Sequence, residues 1–422
     1  MSRRQFFGGV VGQSAGVIST TIIQLFQVPV FLGAVGPETY GQYLIVIAVP
    51  SVLVMSDFGL LPAFSTAMLQ AASREDYGQA RRLARLASGT LAAIGVVAVL
   101  ALVGTAVVLH LLASGLPSWA PIVFVAYGLY ALTCLQTNAV EGILRADGRQ
   151  GATWTSIAAL RVVEFGVAAV ILTTSGTVLG FVVALLVGRV VGTAILGAYC
   201  SNVVTWASRV PSFRGWSMHR SLIAPMLGSL AQPATNFVYL QGSTLLVGAV
   251  LGPAAVAQFS TLRTLANMLK QVGQIFTIAS VPVMTRAMAT RDRATLHRQR
   301  RVVWGAVAGV VLFGGTALVL IGPSFVEWWT RGEIAVDRAL MLAFAAEASL
   351  EVVLAASAIG LIALNKHFGF AVGGLALALM YLPFASLAAQ TDLVLVVVTQ
   401  SAFIALTVVL VMLLERRSAK HA

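Results

Sequence analysis

Residues 151–173 read GATWTSIAALRVVEFGVAAVILT, and residues 177–200 read TVLGFVVALLVGRVVGTAILGAYC. Each run exceeds the roughly 20 mainly apolar residues that a helix needs to cross the hydrocarbon core of a membrane. Only Thr174, Ser175 and Gly176 separate them, and these residue types are typical of a turn. The stretch therefore predicts two consecutive transmembrane helices.

The same pattern continues in both directions along the chain. Of its 422 residues, 58% are hydrophobic and only 10% are charged, with a mean hydropathy of +0.90, whereas a soluble chain carries roughly 25% charged residues. The sequence predicts an all-α polytopic membrane protein with 12 transmembrane helices. The predicted spans are 8–33, 40–69, 83–112, 118–142, 151–173, 177–200, 221–250, 254–284, 302–322, 339–364, 367–389 and 393–414.

Lysine and arginine concentrate in alternate connecting segments. The segment 286–301 alone contains six arginines, whereas on the opposite side of the predicted membrane only Arg331 and Arg338 lie between spans. Because cytoplasmic segments carry the excess of Lys and Arg, both termini are predicted to be cytoplasmic. Topology and anionic headgroups then explain the net charge of +12, so we do not expect nucleic acid as a partner.

The two halves of the chain resemble each other. The pair Gly36-Pro37 recurs as Gly252-Pro253, and at the same offset Asp76 falls on Asp292. The offset is about half the chain, which indicates an internal duplication. Six helices in each half would give both halves the same orientation, related by a pseudo-twofold axis along the membrane normal. The sequence therefore predicts two pseudo-symmetric six-helix lobes, residues 1–205 and residues 206–422.

Three segments carry a resemblance to a known family: residues 36–43 (GPETYGQY), 56–60 (SDFGL) and 141–149 (EGILRADGR). They resemble the polysaccharide-exporter, or O-antigen flippase, branch of the multidrug/oligosaccharidyl-lipid/polysaccharide (MOP) flippase superfamily. The resemblance implies a V-shaped pair of six-helix bundles in the bacterial inner (plasma) membrane that works by alternating access. It implies that an oligosaccharide linked to a polyprenyl pyrophosphate is flipped from the cytoplasmic to the periplasmic leaflet.

The flipped unit would supply O-antigen, capsule or exopolysaccharide assembly, with membrane lipids and the polysaccharide polymerase machinery as further partners. The alternative is a cation-coupled small-molecule or multidrug antiporter of the same superfamily. A membrane enzyme such as a glycan polymerase is disfavoured because the longest external loop, near 323–338, is too short for a catalytic domain. The sequence has no Walker A motif and no histidine cluster, so we expect no catalytic residue, no metal and no cofactor. Coupling to H+ or Na+ stays open.

Ionisable residues inside predicted spans are the candidate functional residues, because a charge at membrane depth costs at least about 2.5–3.5 kcal/mol and usually faces a cavity or a partner. Four of them are basic and four are acidic, so the sequence alone does not indicate a cationic cavity. We assign the basic residues to substrate binding and the acidic ones to a coupling ion or to charge partners. They are Arg161, Arg189, Arg263 and Lys270, and Asp57, Glu164, Glu347 and Glu351.

Arg263 and Lys270 lie two turns apart on one predicted helix, and so about 10 Å apart on one face. Two cations on a cavity wall would suit a pyrophosphate headgroup. They could equally pair with carboxylates of a neighbouring helix. Glu347 and Glu351 also share one face, so one of them could carry a proton, or both could neutralise the two cations.

Arg161 and Glu164 are three residues apart and could pair with each other. Arg189 has no carboxylate within four residues, so it needs a tertiary partner, the substrate or water. Asp57 is a candidate proton or cation site, or a partner for an arginine of its lobe.

Overall fold

The computed structural model describes residues 3–55, 60–112, 116–207, 231–290, 292–363 and 368–420, which form α-helices joined by short turns. The chain divides into two compact units. Unit 1 consists of Met1–Gly36 and Gln42–Pro233, and unit 2 of Pro37–Gly41 and Ala234–Ala422. The two predicted lobes stay a prediction.

The helices before residue 207 follow the predicted spans closely except around residue 50 and at the predicted break 34–39, where the first helix continues through a kink at Gly36, whose backbone is not helical. They are α1 (Arg3–Ala48), α2 (Ser51–Met55), α3 (Leu60–Ser73), α4 (Tyr77–Leu112), α5 (Ala120–Ala146), α6 (Gln150–Ser175) and α7 (Val178–Val203).

The helices after residue 230 include two with an internal π-helical segment, at Val238–Gly242 and Val310–Gly314. They are α8 (Ala231–Leu251), α9 (Pro253–Ala289), α10 (Arg293–Leu320), α11 (Gly322–Trp329), α12 (Arg338–Ala363), α13 (Phe368–Ala389) and α14 (Leu393–Lys420).

Ten helices formed by the described residues are long and apolar enough to cross a membrane. The predicted span 40–69 is divided, because α1 ends at Ala48 and two shorter helices follow. Pro50 supplies no backbone N–H to continue the helix at that point. Helix α9 covers the predicted span 254–284, but Arg263 and Lys270 lower its hydropathy. The number twelve and the cytoplasmic termini therefore stay predictions, while a multi-pass membrane protein is supported.

The two Gly-Pro steps adopt nearly the same backbone geometry. Gly36 has φ 78° and ψ 170°, and Gly252 has φ 85° and ψ 176°. Glycine adopts this region readily, whereas other residues are strained there. At Gly41 the requirement for glycine is steric, because a Cβ atom there would overlap the Pro253 carbonyl group. The segment 36–43 thus contains glycines with identifiable backbone roles.

The aligned aspartates Asp76 and Asp292 also play the same local role. Asp76 Oδ1 accepts from the Gln79 amide at 2.8 Å at the start of α4, and Asp292 Oδ1 accepts from the Thr295 amide at 3.0 Å at the start of α10. Each carboxylate thereby satisfies one of the free N–H groups of a helix N-terminus. The Thr295 hydroxyl also donates to Asp292, and these hydrogen bonds lower the pKa of Asp292.

Candidate functional site

Helices α6 and α7 place one acidic and one basic side chain in direct contact inside unit 1. Glu164 Oε2 lies 2.8 Å from Arg189 Nη2, and each side chain is only 2% exposed. A Cβ atom at Gly188 would lie 2.9 Å from Glu164 Cγ, so the absence of a side chain at Gly188 leaves room for the carboxylate. We call Glu164 and Arg189 the arginine pair.

The arginine pair has few other polar neighbours. Arg189 Nη2 donates to the Tyr130 hydroxyl oxygen at 3.3 Å, and the guanidinium carbon lies 5.4 Å from the centre of the Tyr130 ring. Within the described part of the chain, no hydrogen-bond partner reaches Glu164 Oε1 or Arg189 Nε. Each charge therefore depends mainly on the other, because water and further hydrogen bonds compensate it little.

The pairing of Glu164 across two helices overturns the local pair that its spacing from Arg161 allowed. Among the ion pairs of the described residues, Glu164 has Arg189 as its partner. Arg161 lies half-buried on α6. The tertiary contact forms because Arg189 is fully buried and finds no anion on its own helix. The substrate-binding roles of Arg161 and Arg189 stay predictions.

Helices α9 and α12 hold a lysine between two carboxylates in unit 2. Lys270 Nζ lies 3.1 Å from Glu347 Oε1 and 3.0 Å from Glu351 Oε2. The two glutamates are one turn apart, so they project from one face of α12. The side chain of Glu347 is 1% exposed and that of Lys270 9%, but that of Glu351 is 31% exposed. We call these three residues the lysine cluster.

Neutral groups of α8, α13 and α14 surround the buried end of the lysine cluster. Gln400 Nε2 donates to Glu347 Oε1 at 3.2 Å, and Gln400 Oε1 accepts from the Ser243 hydroxyl at 3.1 Å. The Ser243 and Tyr381 hydroxyl oxygens lie 2.9 Å apart. Glu347 Oε2, in contrast, is buried and receives no hydrogen bond from the described residues. One oxygen of this carboxyl group is thus fully engaged and the other is unsatisfied.

The sequence did not predict these neutral groups or Tyr130. Gln400 carried a usable signal, because an amide inside the apolar run 393–414 needs an internal partner. The hydroxyl residues carried none, since serine and tyrosine occur in transmembrane helices for many packing reasons.

Arg263 lies two turns before Lys270 on α9 but is held by neutral acceptors. Its Nη1 donates to the Leu240 carbonyl oxygen at 2.7 Å, and its Nη2 donates to the Thr244 hydroxyl oxygen at 3.0 Å. Leu240 belongs to the π-helical segment Val238–Gly242, and such segments are frequent at functional sites. No ion pair of the described residues involves Arg263, so its charge has no direct counter-ion there.

Asp57 lies outside the described residues, and its role stays a prediction. Six of the other candidates form two groups, the arginine pair in unit 1 and the lysine cluster with Arg263 in unit 2, and Arg161 belongs to neither. With all side chains ionised, the arginine pair is neutral and the lysine cluster carries one net negative charge. The lysine cluster can therefore accept a proton while Lys270 keeps a carboxylate partner, whereas protonation of Glu164 would leave Arg189 without one.

No protein-family model matches the sequence, and no curated protein matches it. Solved structures do match. A multidrug resistance MATE family transporter of the MOP superfamily, in an inward-facing conformation, aligns with a TM-score of 0.73 at 16% identity over 98% of both chains. An outward-facing structure of such a transporter aligns with a TM-score of 0.66 at 15% identity over 98% of this chain and 96% of that chain.

The lipid II flippase MurJ, in an inward closed conformation, aligns with a TM-score of 0.70 at 11% identity over 96% of this chain and 87% of that chain. Likeness at such low identity establishes architecture and leaves the substrate open. Together with the ten apolar helices, these comparisons show that the chain has the fold of MOP-superfamily transporters.

Proposed function

We propose that this protein is a flippase that moves lipid-linked oligosaccharide units from the cytoplasmic to the periplasmic leaflet for surface polysaccharide biosynthesis. Its two predicted lobes open alternately to either side of the membrane. The fold supports this proposal because it is shared, over nearly the whole chain, with a protein named as a lipid II flippase. The segments 36–43, 56–60 and 141–149, which resemble polysaccharide exporters, support it independently.

The observation that carries the proposal is the state of Arg263. Its guanidinium group is oriented by two neutral oxygens, at 2.7 and 3.0 Å, and has no ion-pair partner among the described residues. A positive charge among apolar helices that is held in place but not neutralised suits an anionic ligand. A pyrophosphate diester offers oxygens in the geometry that a guanidinium fork binds best.

The alternative is a cation-coupled antiporter of small molecules, and the lysine cluster favours it. A cluster with one carboxylate more than its cations can take up a proton or another cation. The structural match to multidrug transporters agrees equally well with this second function. The two functions predict different defects when the protein is absent: loss of surface glycan for a flippase, and increased drug sensitivity for an antiporter.

The decisive test is a deletion strain, in which lipid-linked glycans and surface polysaccharide are measured in parallel. We expect complete oligosaccharide units to accumulate on their lipid carrier while surface glycan is lost. Normal lipid-linked intermediates with unchanged surface glycan, together with increased drug sensitivity, would replace the flippase by the antiporter.

Complementation of the same strain tests Arg263. Arg263→Ala removes a charge-assisted hydrogen-bond fork worth about 1.5–3 kcal/mol, so we expect roughly tenfold to hundredfold slower recovery of surface glycan. Arg298→Ala is the matched control, because it removes an exposed arginine of α10. Protein level in the membrane should be equal in both variants. Full recovery with Arg263→Ala would remove this arginine from the substrate site.

A further inference from the structure

Lys270 has one hydrogen-bond donor more than the described residues of the lysine cluster engage. An ammonium group has three N–H donors, and Lys270 makes two contacts with carboxylate oxygens, at 3.1 and 3.0 Å. Glu351 is the most exposed member, whereas Glu347 is closed off by Gln400. The Glu351 side is therefore the more open side of the cluster.

The charge of the cluster opposes an anionic ligand as long as both carboxylates are ionised. The one positive charge of Lys270 then faces the two negative charges of the carboxylates. Arg263, about 10 Å away on the same face of α9, brings the net charge of the four side chains only to zero. One proton on Glu347 or Glu351 changes this sum to one net positive charge. In a setting of low dielectric constant such a change is worth far more than it is in water.

The unsatisfied oxygen of Glu347 provides a place for that proton. Glu347 Oε2 is buried and lacks a hydrogen-bond partner among the described residues. Both carboxyl groups contact the same Lys270 atom, at 3.1 and 3.0 Å, so the two carboxyl groups are neighbours in this cluster. Two neighbouring carboxylates share a proton more readily than they remain fully ionised, as paired carboxyl groups in other proteins do.

The groups that face the cluster from its other neighbours do not compete for this proton. They are Tyr239 and Ser243 on α8, Arg263 on α9, Tyr381 on α13 and Gln400 on α14. Tyrosine and arginine lose their protons only well above neutral pH, and serine and glutamine do not titrate. The carboxyl pair is therefore the group of this cluster that can change charge between acid and neutral pH.

We propose that the lysine cluster is a proton-controlled binding site for the pyrophosphate of the lipid-linked substrate, in which a proton and the anion bind together. The inference rests on the proposed function. A proton from solvent joins the Glu347–Glu351 carboxyl pair, and a pyrophosphate oxygen takes the third donor of Lys270 beside Arg263. When the anion leaves, the proton leaves with it, and Lys270 returns to two carboxylate partners.

Linkage makes this inference measurable. If a proton promotes anion binding, then anion binding must promote proton uptake by the same factor. The probe is a short-chain prenyl pyrophosphoryl sugar, because a pyrophosphate diester keeps the same charge between about pH 5 and about pH 8. Titration calorimetry of the full-length protein in lipid nanodiscs, repeated in buffers of different ionisation enthalpy, counts the protons taken up per ligand bound.

We expect the wild-type protein to bind the probe about 5–150-fold more tightly at acid pH than at alkaline pH, which is the usual range of coupling between two sites. Net proton uptake should accompany binding at alkaline pH. Glu351→Gln mimics the protonated pair, so it should bind tightly at both pH values and take up no proton. Glu333→Gln, which neutralises an exposed carboxylate of unit 2, should behave like the wild type.

A double variant distinguishes the effect of removing the ammonium group from the effect of changing the net charge of the cluster. Lys270→Met with Glu351→Gln leaves the charge of the cluster unchanged but removes the donor, so we expect no tight binding at either pH. Binding that is tight and independent of pH in the wild type would overturn the switch while leaving the flippase intact. Absence of binding at every pH would overturn both the switch and the anionic substrate of the proposed function.

Discussion

The arginine pair and the lysine cluster both place ionised side chains among apolar helices, but they balance their charges differently. The arginine pair has one group of each sign, both 2% exposed, and a change in either leaves the other uncompensated. The lysine cluster has two carboxylates for one ammonium group, and Glu351 is 31% exposed. The first arrangement suits a fixed internal connection between α6 and α7, whereas the second can gain or lose a charge and remain paired.

The largest expected effect comes from breaking the arginine pair on one side only. Arg189→Met leaves Glu164 buried without a cation, and such single losses cost about 3–5 kcal/mol. Arg189→Met combined with Glu164→Leu should recover most of this loss, because apolar replacement of a buried pair is often neutral or stabilising. Thermal unfolding in detergent measures both. Equal stability of the single variant and the wild type would show that the pair is hydrated.

A smaller effect is expected when the helix contact beside the arginine pair is changed. Gly188→Ala places a methyl group against Glu164 Cγ, and overpacking of this kind costs about 1–3 kcal/mol. Gly166→Ala on α6 is the control, since nothing lies within 4 Å of a Cβ atom there. Alanine has the higher helix propensity, so the control should be neutral or up to about 1 kcal/mol more stable. A stable Gly188→Ala variant would argue against the close approach of α6 and α7.

Removing one carboxylate from the lysine cluster should cost less stability than breaking the arginine pair. Glu351→Gln leaves Lys270 its contact with Glu347, and a partly exposed ion pair contributes about 0–1 kcal/mol. The same unfolding experiment measures the difference from Arg189→Met. A loss as large as that of Arg189→Met would mean that both carboxylates are needed to hold Lys270, and the contrast between the two regions would disappear.

The smallest effect concerns the paired helix starts of the two units. Hydrogen bonds from Thr295 lower the pKa of Asp292, so the cap is present above the ordinary aspartate pKa of about 3.9 and is lost as pH falls through the lower folded value. Amide exchange of residues 293–297 should therefore accelerate at acid pH beyond the intrinsic change. Asp292→Asn should remove this pH dependence.

Hydropathy and charge predicted most helices, because an apolar run of about 20 residues with few charges is typical of a membrane-spanning helix. They failed locally at residues 40–69, because hydropathy does not register that Pro50 lacks the backbone N–H needed to continue α1 beyond Ala48. The pairing of Lys270 with Glu347 and Glu351 was among the alternatives that the sequence offered, but the partner of Arg189 was not. Glu164 had a plausible partner three residues away, and only the arrangement of α6 and α7 shows that Arg189 replaces Arg161. The role of Gln400 likewise depends on contacts between helices distant in sequence.

The most direct test of the central claim is transbilayer movement of a fluorescent prenyl pyrophosphoryl oligosaccharide in liposomes that contain only the purified protein. We expect the protein to move the lipid to the opposite leaflet, faster when the donor side is acidic, and Arg263→Ala to slow this movement at least about tenfold. If the lipid stays in its leaflet while an organic cation is exchanged for protons in the same liposomes, the protein is an antiporter and the flippase assignment is wrong.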